Sequence, residues 1–350
     1  MIRLTYISSF GKQATAKDIR AIGMVSEKNN ARDGLTGVLL CFKGVFYQII
    51  EGDEQAVNDC FNRIQSDTRH DDIFILNIEK DIPERMYSEW NMKTVFLDSQ
   101  AYPLIMPIRN LLDSLTKTHT ILKQYVPYEV LDGIQQGEDP SEWDFKRDEL
   151  IILFSDIISF TTITEKINLA DMKELLNAYF GIATQAMARS GGRIAKLTGD
   201  GFMAYYPPEL AASALRASVD IIKELKEQRK TTRSSFLKWT YCGIGLSAGK
   251  VVMGNVGSSA RQDYTVLGDV VNSASRFESF TREAGYSILF DDRFRKYLQK
   301  APNVLPILEL GERTLKGKSK KLTVYTVKDA DVKFDLTPEE IAREIGKIKG

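Results

Sequence analysis

Asp156 closes an unbroken apolar run, ELIILFSD, and Asp200 stands in the Gly-Asp-Gly turn of GRIAKLTGDGFMAYYP. A carboxylate at the end of a buried strand and another at a hairpin tip converge when the two strands are neighbours. Two aspartates placed in this way can share divalent cations next to phosphate. Each residue alone also has a plainer reading, an N-cap for Asp156 and a turn former for Asp200. Asn272 and Arg276 are four apart on a helix that should start near Asp269, so they share a face. An arginine there can neutralise charge on a transferring phosphoryl group. Lys196 precedes the hairpin turn within a mainly apolar strand, and Lys316 lies in TLKGK; taken alone, each is a solvated charge. A second polar set is embedded in apolar sequence: Tyr6 in LTYISS, Asn29 and Asn30 at the end of AKDIRAIGMVSEKNN, and Gln48 inside VFYQIIEG. A glutamine in such a strand must face solvent or find partners, because burying its amide without a hydrogen bond is costly.

Composition narrows the chemistry. The 350 residues include 47 Lys+Arg against 47 Asp+Glu and only two histidines, His70 and His119. A histidine zinc site, a Cys/His finger and a strongly basic nucleic-acid binder are therefore disfavoured, so no nucleic-acid partner is expected. Neither histidine is flanked by a nucleophile motif such as G-x-S-x-G. Carboxylate, Lys/Arg and amide chemistry remain, with metal ions as helpers. The length suggests about two domains. Cys41, Cys60 and Cys242 are odd in number and widely spaced, which suits reduced thiols. The start MIRLTYISSF lacks an apolar targeting core, and no apolar run approaches the roughly 18 residues that span a bilayer. The expectation is a cytoplasmic protein without a membrane partner.

These residues need elements to position them. In residues 1 to 97, LTYISS, GVLLCFKG, VFYQIIEG and DIFILNIE read as strands, while AKDIRAIGMVSEKNN and EQAVNDCFNRIQSD read as helices, the first ending at the Asn pair. The order β-α-β-β-α-β is that of a ferredoxin-like unit. From 104 to 126, Ile108, Leu111, Leu115, Thr118, Leu122 and Tyr125 keep an a/d spacing. That stripe suits an amphipathic helix packed on a domain or a short coiled coil. A polar linker, GIQQGEDPSEWD, follows, and a second domain should begin near Lys146. Its elements run from the strand ELIILFSD, through the helix of NLADMKELLNAYF and the Gly-Asp-Gly hairpin, to a helix over about 270–281 and the closing segment ERTLKGKSKKLTVYTV. Thr337 and Glu340 form a capping-box pattern with Pro338 between them, ahead of a stripe of Ile341, Ile345 and Ile348, which predicts a terminal helix.

Read in order, FSDIISFTT, KLTGDGFMAYY, DYTVLGDVVNSASR and TLKGK resemble the class III nucleotidyl cyclase catalytic domain over about residues 147–327. The resemblance implies a ferredoxin-like core that works as a head-to-tail homodimer with two composite sites. Asp156 and Asp200 would bind two Mg²⁺ or Mn²⁺ ions, helped by the carbonyl of Ile157. The amides of Phe160, Thr161 and Thr162 would hold terminal phosphates. From the other subunit, Asn272 would position the ribose, Arg276 would stabilise the pentavalent phosphorus and Lys316 would contact the triphosphate. The 3′-hydroxyl would then attack the α-phosphate in line. Lys196 and Thr265 match the adenine-type pair of this family, which favours ATP over GTP.

NNARDGLTGVLL, FYQIIEGD, DTRHDDI and RMYSEWNMK resemble, in that order, the BLUF domain, a blue-light sensor using flavin, over residues 1 to about 97. The resemblance implies FMN or FAD as cofactor, with the ring between the two helices. Tyr6 would be the photochemical electron and proton donor, Gln48 the amide that rearranges and Asn30 a ring contact. Asn29, Arg69 and His70 would lie around the flavin edges, while His70 also reads as a helix-end surface residue. Trp90 and Met92 lie beside the site, and which one faces the ring stays open.

The implied fold class is α+β, with two ferredoxin-like domains joined by a helical linker in a homodimer. The division is 1–100 for the sensor, 101–145 for the linker and dimerisation segment, 146–328 for the cyclase and 329–350 for the tail. The combination resembles the photoactivated adenylyl cyclases, which implies light-driven conversion of ATP to cyclic AMP and pyrophosphate. A light-gated guanylyl cyclase and a non-catalytic, light-responsive nucleotide-binding module are the alternatives.

Overall fold

Period-two alternation assigns each strand residue of the first unit to one of two apolar layers. The computed structural model describes residues 1–10, 16–42, 44–89, 92–97, 105–258, 261–302, 304–315 and 321–347. The chain divides into two compact units, Met1–Glu142 and Trp143–Gly350, each with its own sheet and helices, so the architecture is α+β.

The first unit contains β1 (Ile2–Phe10), α1 (Ala16–Asp33), β2 (Thr36–Phe42), β3 (Val45–Gly52), α2 (Glu54–Gln65), β4 (His70–Glu79), β5 (Lys93–Phe96), α3 (Ile105–Tyr125) and α4 (Tyr128–Gln135). The sheet order is β4-β1-β3-β2-β5. The β-α-β-β-α-β arrangement thus gains a fifth strand, β5, parallel to β2. Tyr6, Phe46 and Ile50 on one face pack with Ile22 of α1 and Val57, Cys60 and Phe61 of α2. Ile7, Phe42 and Phe74 on the other face pack with Leu112 of α3 and Leu131 of α4.

Helix α1 runs past the Asn pair to Asp33, so the expected end at Asn30 is corrected. What stops it is Gly34 in the left-handed region (φ 66°), with the Leu35 N–H bonded to the Asn30 carbonyl at 2.8 Å. This is a Schellman closure that asparagine side chains do not announce. Helix α3 also departs from the a/d reading. Its inward stripe is Leu112, Leu115, His119 and Leu122, packed on the sheet, while Leu111, Ile121 and Tyr125 are exposed. Only part of the heptad seam therefore points outward; the Ile108 side chain lies outside the described residues. His119 is buried against Phe74 with its ring centroid 4.4 Å away, and burial pushes its pKa down. A short helix, α4, precedes the expected polar linker and runs into it as far as Gln135.

The second unit contains β6 (Lys146–Ile157), α5 (Phe160–Thr164), α6 (Leu169–Ser190), β7 (Arg193–Leu197), β8 (Gly201–Tyr206), α7 (Ala211–Thr231), β9 (Cys242–Ser258), β10 (Arg261–Leu267), α8 (Asp269–Ala284), β11 (Ile288–Asp291), α9 (Asp292–Leu298), β12 (Ile307–Arg313), β13 (Leu322–Val327) and α10 (Pro338–Gly346). The sheet order is β12-β13-β11-β9-β6-β8-β7, with β10 hairpinned onto β9. The apolar run of β6 lies between β8 and β9, both antiparallel to it. Its side chains Ile151 and Leu153 enter one core layer, Leu150 and Ile152 the other. Helix α10 opens with the Thr337–Glu340 capping box and buries Ile341 and Ile345 against the main core. Ile348 lies outside the described residues. No described helix is long and apolar enough to cross a membrane.

Candidate functional site

Strand register brings the two aspartates together. Asp156 pairs with Gly201, the residue after Asp200, and the Ile157 N–H reaches the Asp200 carbonyl at 3.3 Å. A Cβ on Gly201 would sit 2.8 Å from Asp156 Oδ1 and 2.4 Å from the Ser155 carbonyl oxygen, so the turn must carry glycine there. Just behind, Ser155 Oγ and Tyr179 Oη share a 2.7 Å hydrogen bond that ties β6 to α6. Burial, then repulsion from Asp200 and Glu278, pushes the Asp156 carboxyl up to about 7. A carboxylate whose proton affinity is raised by a second one beside it belongs to a donor set that a divalent cation fits, because the cation's charge relieves the repulsion. Among the described residues no cluster of three or more His, Cys, Asp or Glu forms a ligand cage. A cation held by Asp156 and Asp200 would take its other ligands from main-chain carbonyls, water or substrate.

Ser159, itself left-handed (φ 59°), opens α5 without a side-chain cap, so no cap takes up the first amides at Phe160, Thr161 and Thr162. Lys196 Nζ reaches Asp263 Oδ2 of β10 at 2.7 Å, and Thr265 follows two residues later on the same side of that strand. Asn272 is exposed and Arg276 half-buried on the first half of α8. Asp156 meets the other end of this helix, with Arg282 Nη2 3.7 Å from its Oδ2. The six residues from Arg276 to Arg282 correspond to about 9 Å of helix. Among the described residues, no hydrogen bond or ion pair joins Asn272 or Arg276 to either aspartate. Lys316 lies outside those residues; its neighbour Leu315 is buried in one cluster with Phe277.

In the first unit, Gln48 is 4% exposed, which excludes the solvent-facing reading. Tyr6 Oη donates to Gln48 Oε1, and Gln48 Nε2 donates to Met92 Sδ at 3.5 Å. Tyr6 is fully buried, and burial pushes its phenol well above the usual range. Met92 stands one residue before β5; Trp90 lies outside the described residues. Asn29, Asn30, Gln48, Arg69 and His70 line one cavity between α1 and α2. His70 starts β4 instead of ending a helix, and its Nδ1 lies 2.9 Å from Ser8 Oγ. Burial pushes its imidazole down to about 4. Arg69 is turned onto Asp67 at 2.9 Å. The buried Asn30 Nδ2 has no hydrogen-bond partner among the described residues. An orphaned amide at the wall of such a cavity fits the carbonyl and ring-nitrogen edge of a flavin.

Sequence reasoning missed Asp263, Glu278 and Arg282. Glu278 and Arg282 are an i,i+4 pair, a spacing that usually marks a solvated helix face. Glu278 is nonetheless 5% exposed.

Residues 1–93 match the family of sensors of blue light using FAD, and residues 145–329 match the adenylate and guanylate cyclase catalytic domain. Photoactivated adenylate cyclase subunit beta of Euglena gracilis is 33% identical over 290 residues, covering 82% of this chain and 33% of that protein. Subunit alpha of the same organism is 30% identical, covering 83% of this chain and 29% of that protein. The chain thus spans about a third of the length of these curated relatives. A solved bacterial light-regulated adenylyl cyclase superposes with a TM-score of 0.89 at 37% identity, covering 100% of both chains.

Proposed function

The chain belongs to the adenylate and guanylate cyclase family and carries a BLUF domain ahead of the catalytic one, and we propose that it converts ATP to cyclic AMP and pyrophosphate under blue-light control. The observation that carries the cyclase reading is the Asp156–Asp200 pair, with Asp156 pushed up to about 7 beside a second carboxylate. Divalent cations bound there would supply Lewis acidity to the ribose 3′-hydroxyl and charge neutralisation to the leaving pyrophosphate. The chain's own residues orient the substrate. Lys196 and Thr265 face adenine, with the Lys196 ammonium donating to N1 and the Thr265 side chain accepting from the exocyclic amine. Asn272 orients the ribose, Arg276 offsets charge on the phosphorus, Lys316 meets the triphosphate, and the amides of Phe160 to Thr162 take its terminal oxygens.

The separation of the aspartates from Asn272 and Arg276 along α8 supports a site composed from two copies, with Asp156 and Asp200 from one and Asn272 and Arg276 from the other. Misplacing such groups by about 1 Å can lower the rate by about a hundredfold, so a small movement between copies suffices for control.

In the sensor, a bound flavin, FAD or FMN, would supply blue-light absorption and an excited state that accepts an electron. Tyr6 would give up an electron and its phenolic proton and recover both. Gln48, held between Tyr6 and Met92, would exchange the ends of its amide and keep the new hydrogen bonds. Asn30 would direct its free amide to the ring edge.

The test is nucleotide turnover by the purified protein with Mg²⁺ or Mn²⁺, in darkness and under blue light, with ATP and with GTP. Cyclic AMP formed faster in the light is the expected result. No cyclic nucleotide in either condition would overturn the catalytic reading, and equal rates would overturn the gating.

A further inference from the structure

Glu278 is a buried carboxylate that the proposed reaction does not use, and the fold constrains it closely. A Cβ on Gly243 would lie 2.8 Å from Glu278 Oε1, and one on Gly245 would lie 2.2 Å from the Glu278 amide nitrogen. Two glycines of β9 therefore let α8 lie directly on the sheet, with Glu278 between helix and strand. Arg282, one turn on, supplies the compensating charge, its Nη1 donating to Glu278 Oε1 at 2.6 Å. The other end of the same guanidinium, Nη2, points to Asp156 Oδ2 at 3.7 Å. One cation thus faces two carboxylates, one of them the aspartate assigned to metal.

We propose that Arg282, anchored by Glu278, is a positioning residue for the cation site: it holds the Asp156 carboxylate in place until a divalent cation arrives, and competes with that cation. This rests on the reading that Asp156 and Asp200 bind divalent cations. The two partners have opposite effects on affinity. Without Arg282 the competing charge is gone and the Glu278 carboxylate is left facing the site, so a cation binds more tightly. Without the Glu278 charge, Arg282 is released toward Asp156, and a cation binds more weakly.

The test is Mn²⁺ titration of the full chain in darkness without nucleotide, read by the loss of the free-ion paramagnetic resonance signal. Flavin absorbance and the thermal midpoint serve as checks of folding. Arg282→Gln should tighten Mn²⁺ binding about tenfold and Glu278→Gln should weaken it by a similar factor. Arg282→Lys keeps the charge but not the fork that faces both carboxylates, so its affinity should fall between the parent and Arg282→Gln. If Arg282→Gln fails to fold around an unpaired carboxylate, the double variant R282Q/E278Q removes that burden and should still bind more tightly than Glu278→Gln alone. Shifts of both single variants in the same direction, or in neither, would overturn the role of Arg282 while leaving the cation site standing. A parent protein that takes up no Mn²⁺, or an Asp156→Asn variant that binds it unchanged, would overturn both.

Discussion

The two candidate sites differ in how much of each a single chain completes. Around Gln48 the hydrogen-bonded row is enclosed: Tyr6 is fully buried, Gln48 is 4% exposed, and Tyr6, Gln48 and Met92 are joined from end to end. Around Asp156 the site is open, and Asn272 and Arg276 lie toward the opposite end of α8. A photochemical site needs fixed distances and gains from a rigid, dry wall. A regulated catalytic site gains from being unfinished, because its activity then depends on how the missing half arrives. On the proposed reading, one chain would complete the light-sensing site and supply only part of the catalytic one.

The largest expected effect comes from breaking the half-site outright. Asp156→Ala should lower cyclic AMP formation by about a thousandfold or more while the flavin spectrum stays unchanged; losing both together would make Asp156 a folding residue. Next is Tyr6→Phe, which should bring the light-to-dark activity ratio to about one and leave the dark rate within about twofold, since it deletes one hydroxyl from a closed row. A light response that survives this change would remove Tyr6 from the photochemistry. The contrast is sharpened by mixing two inactive variants, Asp156→Asn and Arg276→Ala. Random pairing of a head-to-tail dimer gives half mixed pairs with one intact site of two, so about a quarter of parental activity should return. A site complete within one chain would regain none.

The smallest effect concerns pH. The His70 imidazole is pushed down to about 4 by burial, against about 6.5 in the unfolded chain. Between those values the unfolded state takes up a proton that the folded state refuses, so stability is full above about pH 6.5 and declines as the pH falls toward 4. The slope is at most about 1.4 kcal/mol per pH unit. His70→Gln should flatten that slope in denaturant titrations of the dark protein; an unchanged slope would mean that His70 accepts its proton in the folded state.

Local signals made much of this legible in advance, for physical reasons. The run ELIILFSD suits a strand buried on both faces, Gly-Asp-Gly suits a tight hairpin turn, and the Thr337 capping box marks its helix by itself. What stayed hidden depended on distant partners. The inward face of α3 is set by Phe42 and Phe74 on the sheet, not by its own heptads, so Leu112 turned in where Leu111 was expected. The burial of Glu278 is decided by Gly243 and Gly245, more than thirty residues earlier. Seen along the helix alone, Glu278 and Arg282 resemble any surface pair.

Helix α8 has a further consequence. It is 16 residues long, about 24 Å, and its second half is seated on β9 without room for a methyl group. In a head-to-tail pair, one end of each α8 would serve the partner's aspartates while the other end braces its own. The two sites would then share a stiff part, and substrate settling into one would alter the other. Sigmoidal dependence of rate on ATP, with a Hill coefficient between one and two, would be the kinetic sign of that shared rod.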